Sequence, residues 1–455
     1  MKHTIYALST APGTSGVAVI RASGPQALAG LAALTQKPVE AYQPRRTYLR
    51  KLFRPSDSYV IDQAMVIAFH GPHSFTGEDV VEYHIHGGLA VRNMALAALS
   101  TLYGHRMAEA GEFSRRAFQN DKMDLIEAEG IADLIHADTE AQHRQALIQL
   151  EGKLSAVYID WADRLKNMLA YMEADIDFSE DEDLEDTAFS KMRDKLGALS
   201  DEIADHLDDN RRGERLREGV QVVIIGAPNA GKSSLLNALA KRDVAIVSEM
   251  AGTTRDVIET HLDLGGYPVT LADTAGLRPE QLDAQGGSNG HDMIESEGIR
   301  RAIELAHKAD IKLLMFNGTE MPDLDLNTLQ LNDDNALIIV NKIDLYDGPI
   351  PNIADKKPIC ISVKEEEGID RLLVRLTERI AGIFGDRESP TITRARHREA
   401  LLDVRESLLR ALAIDLPELA AEDMRLAMRA LGRITGRVDV EDLLDVIFHD
   451  FCIGK

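Results

Sequence analysis

The length, composition and charge of the chain exclude several kinds of protein. Its 455 residues are 44% hydrophobic and 28% charged, with two cysteines and no apolar run near the roughly 20 residues of a membrane span. We therefore expect a cytoplasmic globular protein of several domains, without disulfide bonds or a membrane anchor. The chain has 51 lysines and arginines and 75 aspartates and glutamates, which gives a net charge of −24. A molecule with this charge repels polyanions, so any contact with nucleic acid must be local.

The first predicted domain covers residues 1–118. It is rich in glycine and in short apolar or alternating runs such as VAVIRASG, YVIDQAMVIAF and EDVVEYHIHGG. Runs of this length, rich in valine and isoleucine and bounded by glycine, are typical of β-strands. We therefore predict a small α+β domain at the amino terminus.

A helical pattern begins after this domain. Apolar residues recur every three or four positions between Leu147 and Met172, which is typical of one long amphipathic helix packed in a bundle. An acidic segment at residues 175–186 interrupts the pattern, and a further helix is expected up to Glu218. We assign residues 119–218 to the first part of a helical domain.

Residues 219–379 carry the pattern of an α/β domain. Continuous apolar runs, VQVVIIG, IKLLMFN, ALIIVNK and PICISV, alternate with segments of helix length, as in a doubly wound parallel sheet. Residues 380–455 restore the helical period, for example at Leu401, Val404 and Leu408. The expected multidomain fold is an α+β domain followed by a discontinuous α-helical bundle domain, into which an α/β nucleotide-binding domain is inserted.

One predicted helix near the carboxyl terminus carries a row of arginines. Arg425, Arg429, Arg433 and Arg437 recur every four residues and would lie along one side of this helix, and a second cluster of arginines occurs at residues 394–398. The row is either a local nucleic-acid contact or a solvated face balanced by acidic residues. Spacing alone favours the solvated face.

The sequence GAPNAGKS at residues 226–233 matches the phosphate-binding pattern G-x-x-x-x-G-K-[ST]. It lies between the predicted strand VQVVIIG and the helical sequence SLLNALA, which is the position that this pattern requires. Glycines allow backbone N–H groups to surround phosphate oxygens, and the amino end of the helix adds positive potential. Lys232 would supply a cation for the phosphates, and Ser233 is the predicted Mg²⁺ ligand.

A second motif predicts which base is bound. NKID at residues 341–344 ends the strand ALIIVNK, at the edge where open α/β sheets bind ligands. Asp344 can accept hydrogen bonds from the N1–H and the exocyclic amine of guanine, whereas adenine presents an acceptor at the matching ring nitrogen. The sequence therefore predicts a guanine nucleotide, with SVK at residues 362–364 completing the base pocket.

Two further motifs lie where a GTPase senses the terminal phosphate of its nucleotide. GTTRD at residues 252–256 lies between the phosphate loop and DTAG at residues 273–276. Thr254 is expected to bind Mg²⁺ together with Ser233, and Asp273 to hold the ion through water. The predicted GTP-binding residues are Asn229, Ala230, Gly231, Lys232, Ser233, Ser234, Ser248, Thr253, Thr254, Asp273, Thr274, Ala275, Gly276, Asn341, Lys342, Asp344, Ser362, Val363 and Lys364.

The residue after DTAG raises a question about catalysis. Leu277 stands where many such switches carry a glutamine that orients the attacking water, and leucine can neither orient water nor neutralise charge. The order of motifs in the chain resembles that of the MnmE (TrmE) family of tRNA modification GTPases. These motifs are the phosphate loop with Asn229, then GTTRD, DTAGLR, IESEGIRRA and the terminal FCIGK. The resemblance covers essentially the entire chain.

The resemblance implies a catalytic site that uses K⁺ in place of an arginine finger. A glutamate on the helix after DTAG orients the water in this family, and Glu295 in IESEGIRRA matches it, although the intervening segment QLDAQGGSNGHD is longer than the usual family spacing. Lys232 and Asn229 complete the predicted catalytic set. Two G domains meet face to face in the family, which implies a homodimer. The residues that match the K⁺ ligands are Asn229, Ser248, Met250 through its carbonyl, and Thr253.

The resemblance also implies a folate site, which makes the amino-terminal domain folate-binding-like. The expected ligand is 5-formyltetrahydrofolate or a related one-carbon folate. The matching residues are Arg21, Glu82, Lys122 and Lys455. A carboxylate can pair with the aminopyrimidine edge of a pterin, and lysines can pair with the glutamate tail of the folate.

Taken over the whole chain, the resemblance implies GTP-dependent modification of tRNA. The expected product carries an aminomethyl or carboxymethylaminomethyl group at C5 of the wobble uridine. The expected partner is the FAD-dependent protein MnmG, in a hetero-oligomer. Two alternatives stay open: a ribosome-assembly GTPase without chemistry on RNA, and a folate-dependent transferase that the nucleotide domain only regulates.

Overall fold

The computed structural model describes residues 3–178, 188–242, 244–246, 259–273, 304–385, 391–438, 441–449, 451 and 454. The chain divides by its internal contacts into two compact units. Unit 1 comprises Met1–Ala132, Gln149–Ser200 and Asp403–Lys455, and unit 2 comprises Asp133–Ile148 and Asp201–Leu402. Both units are therefore discontinuous in sequence.

Twelve strands are present in the described residues. They are β1 (Thr4–Leu8), β2 (Ser15–Ser23), β3 (Thr47–Phe53), β4 (Val60–Phe69), β5 (Val80–Gly87), β6 (His105–Met107), β7 (Val220–Gly226), β8 (Glu259–Leu264), β9 (Tyr267–Asp273), β10 (Ile311–Asn317), β11 (Ala336–Asn341) and β12 (Ile359–Cys360).

Fourteen α-helices have bounds within the described residues. They are α1 (Ala27–Thr35), α2 (Leu89–Ser100), α3 (Glu112–Gln119), α4 (Leu125–Ile135), α5 (Glu140–Leu150), α6 (Lys153–Phe178), α7 (Ala188–Leu207), α8 (Arg212–Glu218), α9 (Lys232–Ala240), α10 (Leu326–Leu329), α11 (Ile369–Phe384), α12 (Ala395–Ala413), α13 (Pro417–Thr435) and α14 (Glu441–His449). Short 3₁₀ turns occur at Val39–Ala41, Gly318–Glu320 and Ile343–Leu345.

Unit 1 contains a six-stranded sheet in the order β3-β4-β5-β2-β1-β6. Neighbouring strands are antiparallel except β1 and β6, which are parallel. Alternate residues of the central strands, such as Ile20, Val66 and Tyr83, form one core with Leu31 of α1 and Leu99 of α2. The three strand sequences predicted for this part of the chain are confirmed as β2, β4 and β5.

The prediction of one helix across residues 147–172 is wrong, because two helices cover this stretch. α5 ends at Leu150 and α6 begins at Lys153. Between them Gly152 has φ of 73°, a left-handed conformation that cannot continue a right-handed helix. The apolar residues keep their spacing across the break, which is why periodicity did not reveal it. The segment up to Glu218 likewise contains two helices, α7 and α8.

Unit 2 contains a six-stranded sheet in the order β12-β11-β10-β7-β9-β8. All neighbouring pairs are parallel except β8 and β9. After β7 the chain first forms strands on one side of it and then β10 on the other side. A parallel sheet binds ligands at such a reversal, beyond the carboxyl ends of its strands. The predicted strands are confirmed here, although only Ile359–Cys360 of PICISV pair as a strand.

Buried ion pairs connect the two chain segments that lead into and out of this sheet. Arg398 of α12 donates to Asp209 at 2.5 Å, to Glu214 of α8 at 2.9 Å and to the carbonyl of Leu207 at 2.8 Å. The Glu214 side chain is 2% exposed, and Arg211 also donates to it. Because Glu214 is held from both segments, α8 and the start of β7 are fixed against α12.

The predicted arginine row lies mostly on α13. Arg425 pairs with Glu173 of α6 at 2.6 Å and with Glu422 at 2.9 Å, and Arg433 pairs with Asp403 at 3.1 Å. These pairs support the solvated, charge-balanced interpretation for two of the four arginines. Arg437 lies beyond the end of the helix at Thr435.

Candidate nucleotide site

The predicted nucleotide-binding motifs converge on one edge of the unit 2 sheet. The carboxyl ends of β7, β9, β10 and β11 lie side by side, because Gly226 pairs with Met315, Ile224 with Asp273, and Asn317 with Asn341. Parallel strands place their carboxyl ends at the same edge. The phosphate loop, the aspartate of DTAG and the NKID motif thus begin within a few strand widths of one another.

The phosphate loop has the backbone conformation that an anion cradle requires. Asn229 has φ of 63° and Gly231 has φ of 104°, both in the left-handed region, and the chain then enters α9 at Lys232. Alternating left- and right-handed residues direct successive N–H groups inward. The Asn229 side chain is exposed at the tip of the loop, while Ala230 is fully buried.

Lys232 folds back over the phosphate loop. Its Nζ donates to the carbonyl of Gly226 at 2.8 Å and to the carbonyl of Ala227 at 3.0 Å. The ammonium group therefore lies against the loop that is expected to surround the phosphates. A flexible cation at this position can exchange carbonyl oxygens for phosphate oxygens without movement of the backbone.

The Asn341 side chain connects the phosphate loop to the base loop. Its Nδ2 donates to the carbonyl of Ala230 at 2.8 Å, and its Oδ1 accepts from the N–H of Val363 at 3.1 Å. Asn341 is only 3% exposed. A Cβ added at Gly231 would overlap the Asn341 amide nitrogen, so the close approach requires glycine there. One buried amide thereby sets the spacing between the two halves of the site.

The predicted guanine-binding carboxylate is oriented by the base loop. Ser362 is fully buried, and its Oγ donates to Asp344 Oδ1 at 2.6 Å. The backbone groups of Ser362 and Glu367 bond to each other and close a turn around residues 362–367. Lys364 is 80% exposed on this turn, and its hydrogen bond to Glu365 raises the pKa of the lysine. The turn leaves one Asp344 oxygen outside the hydrogen bond with Ser362.

Several predicted site residues lie outside the described part of the chain. Asp273 is described only as the last backbone position of β9. Lys342 and Ser234 are described and lie beside Asn341 and Lys232 in sequence. The predicted residues outside the described ranges are Ser248, Met250, Thr253, Thr254, Thr274, Ala275, Gly276, Glu295 and Lys455.

Comparison with protein families covers nearly the whole chain. The family described as the MnmE helical domain matches residues 125–452, and the family described as the GTP-binding protein TrmE N-terminus matches residues 4–122. Among curated proteins, the tRNA modification GTPases MnmE of Paramagnetospirillum magneticum and Parvibaculum lavamentivorans are 50% and 53% identical to the chain, each over 100% of both chains. The MnmE protein of Rhodospirillum rubrum is 48% identical over 99% of both chains.

The chain belongs to the MnmE family of tRNA modification GTPases. The resemblance inferred from the motifs is thereby confirmed, and so is a multidomain architecture with an amino-terminal domain and a helical domain.

Solved structures give weaker likenesses to this MnmE family member. A crystal structure of an Aquifex aeolicus Era variant bound to GDP and aluminium fluoride has a TM-score of 0.26 and 24% identity, covering 43% of this chain and 69% of that one. The G domain of the FeoB iron transporter of T. maritima has a TM-score of 0.24 and 21% identity, covering 36% of this chain and 99% of that one. Both scores are too low to support an argument.

The predicted folate residues of the MnmE amino-terminal domain are partly brought together. Arg21 of β2 and Glu82 of β5 are register partners, and the guanidinium donates to Glu82 Oε1 at 3.0 and 3.1 Å. Lys122 is exposed, and its side-chain carbons lie about 3.3 Å from the position of a Cβ added at Gly77. Gly454 accepts a hydrogen bond from Ser9 at 3.1 Å, which places the carboxyl-terminal tail next to the end of β1.

Two aromatic residues beside Arg21 were not anticipated from the sequence. The Arg21 guanidinium lies 5.2 Å from the ring centre of Phe75 and 5.8 Å from that of Phe113. Phe75 belongs to the loop that also contains Gly77, so this loop contacts Arg21 and lies close to Lys122. Its sequence, SFTGED, combines an aromatic residue with a turn glycine, which is the signal that a sequence analysis could have used.

In the described residues, no helix is long and apolar enough to cross a membrane, and no group of three or more histidine, cysteine, aspartate or glutamate side chains could hold a metal ion.

Proposed function

We propose that this MnmE family member is a K⁺-stimulated GTPase that modifies C5 of the wobble uridine of certain tRNAs. It would act with the FAD-dependent partner MnmG and would add an aminomethyl or carboxymethylaminomethyl group with a tetrahydrofolate one-carbon unit. Support comes from relatives named tRNA modification GTPase at up to 53% identity over the whole chain. The observation that carries the nucleotide assignment is the Asn341 bridge between the phosphate loop and the base loop.

GTP fits the residues that are described. The left-handed loop at Asn229 and Gly231 provides inward N–H groups, and Lys232 provides a cation at their side. Asp344, oriented by Ser362, provides the acceptor for the guanine edge. In this proposal Ser233 and Thr254 hold Mg²⁺, which would supply positive charge to the terminal phosphates.

We further propose that K⁺ binds beside Asn229. The exposed Asn229 amide stands at the tip of the phosphate loop in a conformation that other side chains rarely adopt. The remaining proposed K⁺ ligands are Ser248, Met250 and Thr253. A bound K⁺ would supply the positive charge that an arginine finger supplies in other GTPases. Turnover in K⁺ is expected to exceed turnover in Na⁺ at the same ionic strength, and equal rates would refute the K⁺ site.

Glu295 is proposed to orient the attacking water. Glu295→Ala should lower kcat strongly and leave the affinity for GTP nearly unchanged, because the carboxylate acts on water and not on the nucleotide. Measurement of both constants for the same variant tests this role. An equal loss of affinity and turnover would remove Glu295 from it.

The amino-terminal site is proposed to bind 5-formyltetrahydrofolate through Arg21, Glu82, Lys122 and Lys455. Arg21 pairs with Glu82, and the loop of Phe75 and Gly77 contacts Arg21 and lies close to Lys122, which supports a common site for these three residues. Arg21→Ala should weaken binding of 5-formyltetrahydrofolate, measured by isothermal titration calorimetry, while leaving GTP affinity unchanged. Undiminished folate binding would contradict the assignment.

We also propose the finer organisation implied by the motifs: a folate-binding-like domain at residues 1–118, a helical domain at 119–218 and 380–455, an inserted P-loop G domain at 219–379, and a cytoplasmic homodimer. The tRNA chemistry has a direct test. Deletion of the gene should remove the C5 group from wobble uridine in cellular tRNA, detected by nucleoside mass spectrometry. Unchanged nucleosides together with association of the protein with ribosomal particles would favour a ribosome-assembly GTPase instead.

A further inference from the structure

The first 60 residues contain a basic stretch that is unusual in a chain of net charge −24. Between Glu40 and Asp57 there are five arginines and lysines and no acidic residue. We refer to these five residues as the β3 basic edge: Arg45, Arg46, Arg50, Lys51 and Arg54.

The β3 basic edge lies along the border of the unit 1 sheet. β3 is the terminal strand of that sheet, and β4 is its one pairing partner among the described strands. Arg45 and Arg46 directly precede the strand, and Arg54 directly follows it. Four of the five side chains are exposed, and Arg50 is half-buried. At about 3.3 Å per extended residue, the charges extend over roughly 30 Å.

Within the part of the chain that the structure describes, most of these cations have no acidic partner. Arg54 pairs with Asp57 at 2.7 Å. Arg45 donates to a backbone carbonyl and Arg46 to the side-chain oxygen of Gln43. In the described ranges, no carboxylate forms an ion pair with Arg45, Arg46, Arg50 or Lys51. Arg398 and Arg425, by contrast, each bind two carboxylates. The positive charge of the β3 basic edge is thus available to an external anion.

Tyrosine rings lie beside three of the guanidinium groups, and that of Arg46 is 6.0 Å from the ring centre of Tyr48. Arg50 lies 5.0 Å from the ring centre of Tyr48 and 5.8 Å from that of Tyr42, and Arg54 lies 5.1 Å from the ring centre of Tyr59. Stacking fixes the plane of a guanidinium while its N–H groups stay free to donate in that plane. Less side-chain entropy is then lost when such an arginine binds a phosphate.

We propose that the β3 basic edge binds the phosphate backbone of the RNA substrate. This inference rests on the proposed function in tRNA modification. The molecule as a whole repels a polyanion, so an RNA substrate needs a local surface of positive charge. A linear row of arginines and a lysine fits a phosphodiester chain, because each cation can contact a phosphate, and the exposed ring of Tyr59 offers a face for stacking.

Protection of the sheet edge is the simpler explanation for charge on β3. Charged side chains on edge strands hinder pairing with other chains. Edge protection accounts for Lys51 within the strand, but it does not require cations before and after the strand or the absence of acidic residues. The two explanations separate experimentally, because glutamate also protects an edge but repels phosphate.

The test compares two double variants of the full-length protein that change the net charge equally. Arg46→Glu/Lys51→Glu alters two exposed residues of the β3 basic edge. Lys308→Glu/Lys357→Glu alters two exposed lysines of unit 2 that form no ion pair in the described residues. Binding of fluorescently labelled tRNA is measured by anisotropy at several salt concentrations, with and without MnmG.

We expect the β3 variant to bind tRNA at least about tenfold more weakly, and its slope of log K against log salt to be shallower by about 1 to 2. The control variant should follow the wild type. GTP turnover and the state of oligomerisation should stay unchanged in both. If the glutamates prevent folding, as judged by circular dichroism, the milder Arg46→Gln/Lys51→Gln is used, with a slope change of the same direction.

The possible results separate this inference from the proposed function. Equal tRNA affinity for the wild type and the β3 variant would overturn the RNA-binding role of the β3 basic edge and leave tRNA modification intact. Equal tRNA affinity with weakened binding to MnmG would assign the surface to a protein partner and also overturn the inference. A wild-type protein that binds no tRNA, alone or with MnmG, would count against both.

Discussion

Substitution of Asn341 by aspartate offers a sensitive test of how the nucleotide site is assembled. Aspartate has nearly the same shape as asparagine and can still accept a hydrogen bond from the N–H of Val363. When ionised it cannot donate to the carbonyl of Ala230, which would then face a carboxylate oxygen in place of the amide nitrogen now at 2.8 Å, so the comparison is made at a pH where the aspartate is ionised. The phosphate loop therefore loses its attachment to the base loop, while the backbone of β11 needs no change.

The expected magnitude follows from the burial of this contact. Asn341 is 3% exposed and Ala230 is fully buried, so water cannot replace the lost donor. Leaving a buried acceptor without a partner costs about 1–3 kcal/mol. The untethered phosphate loop must return to its present position when GTP binds, so binding has to supply up to this energy. Since 1.4 kcal/mol corresponds to a tenfold change in an equilibrium constant, the affinity for GTP should fall by about tenfold and by up to about a hundredfold.

Asn317 provides a matched control at the neighbouring strand end. It is the register partner of Asn341, but its Oδ1 accepts from the backbone and side chain of Thr319 and its Nδ2 donates to Glu320 at 2.7 Å. Asn317→Asp thus also loses a donated hydrogen bond, but one that involves neither the phosphate loop nor the base loop. Asn317→Asp should therefore keep GTP affinity within about twofold of the wild type. Titration with a fluorescent guanine nucleotide compares the two variants directly.

Binding of GTP by Asn341→Asp as tightly as by the wild type would refute this role of Asn341, and so would an equal loss of affinity in Asn317→Asp. A second variant checks the same contact from the other side. Because a Cβ at Gly231 would overlap the Asn341 amide nitrogen, Gly231→Ala should weaken GTP binding as well, and its effect should not add to that of Asn341→Asp.

Three further predictions concern stability. Arg398→Met should lower the free energy of unfolding by about 3 kcal/mol in urea titrations, because this substitution removes a partner from the buried Glu214. Arg429 is exposed, and Arg429→Met should change the free energy of unfolding little. Burial raises the pKa of Glu214, but hydrogen bonds from Arg211 and Arg398 outweigh burial and hold this pKa below its ordinary 4.5. The stabilisation by these ion pairs is therefore complete above pH 4.5 and is lost as the pH falls through the lower folded-state pKa. Unfolding midpoints measured across that acidic range should converge for wild type and Arg398→Met. Tyr83→Phe removes a buried hydroxyl group that has no hydrogen-bond partner among the described residues, so thermal unfolding should show a protein about 1 kcal/mol more stable. A loss of stability would reveal an essential bond at this hydroxyl.

Features that are local along the chain could be predicted from the amino-acid sequence. The phosphate loop and NKID could be recognised because each combines its chemistry with the strand that precedes it, and buried parallel strands are continuous apolar runs. The α+β and α/β patterns were likewise visible in the period of apolar residues. These features depend on neighbours only a few residues away.

The helix break at Gly152 marks where such local reasoning fails. The apolar period continues through the break, and only the backbone angle of one residue separates α5 from α6. Glycine is compatible with a helix at a modest cost, so the sequence left both outcomes open. The structure decided between them by placing Gly152 in the left-handed region.

The contacts that assemble the nucleotide site join residues far apart in the chain, so they depend on the tertiary structure. Asn341 reaches Ala230 across 111 positions, and Arg398 reaches Glu214 across 184. The basic residues of β3 are visible in the sequence, but their exposure along an edge depends on the order of strands in the sheet. Strand order and long-range pairing are set by the packing of the whole domain, which no local pattern records.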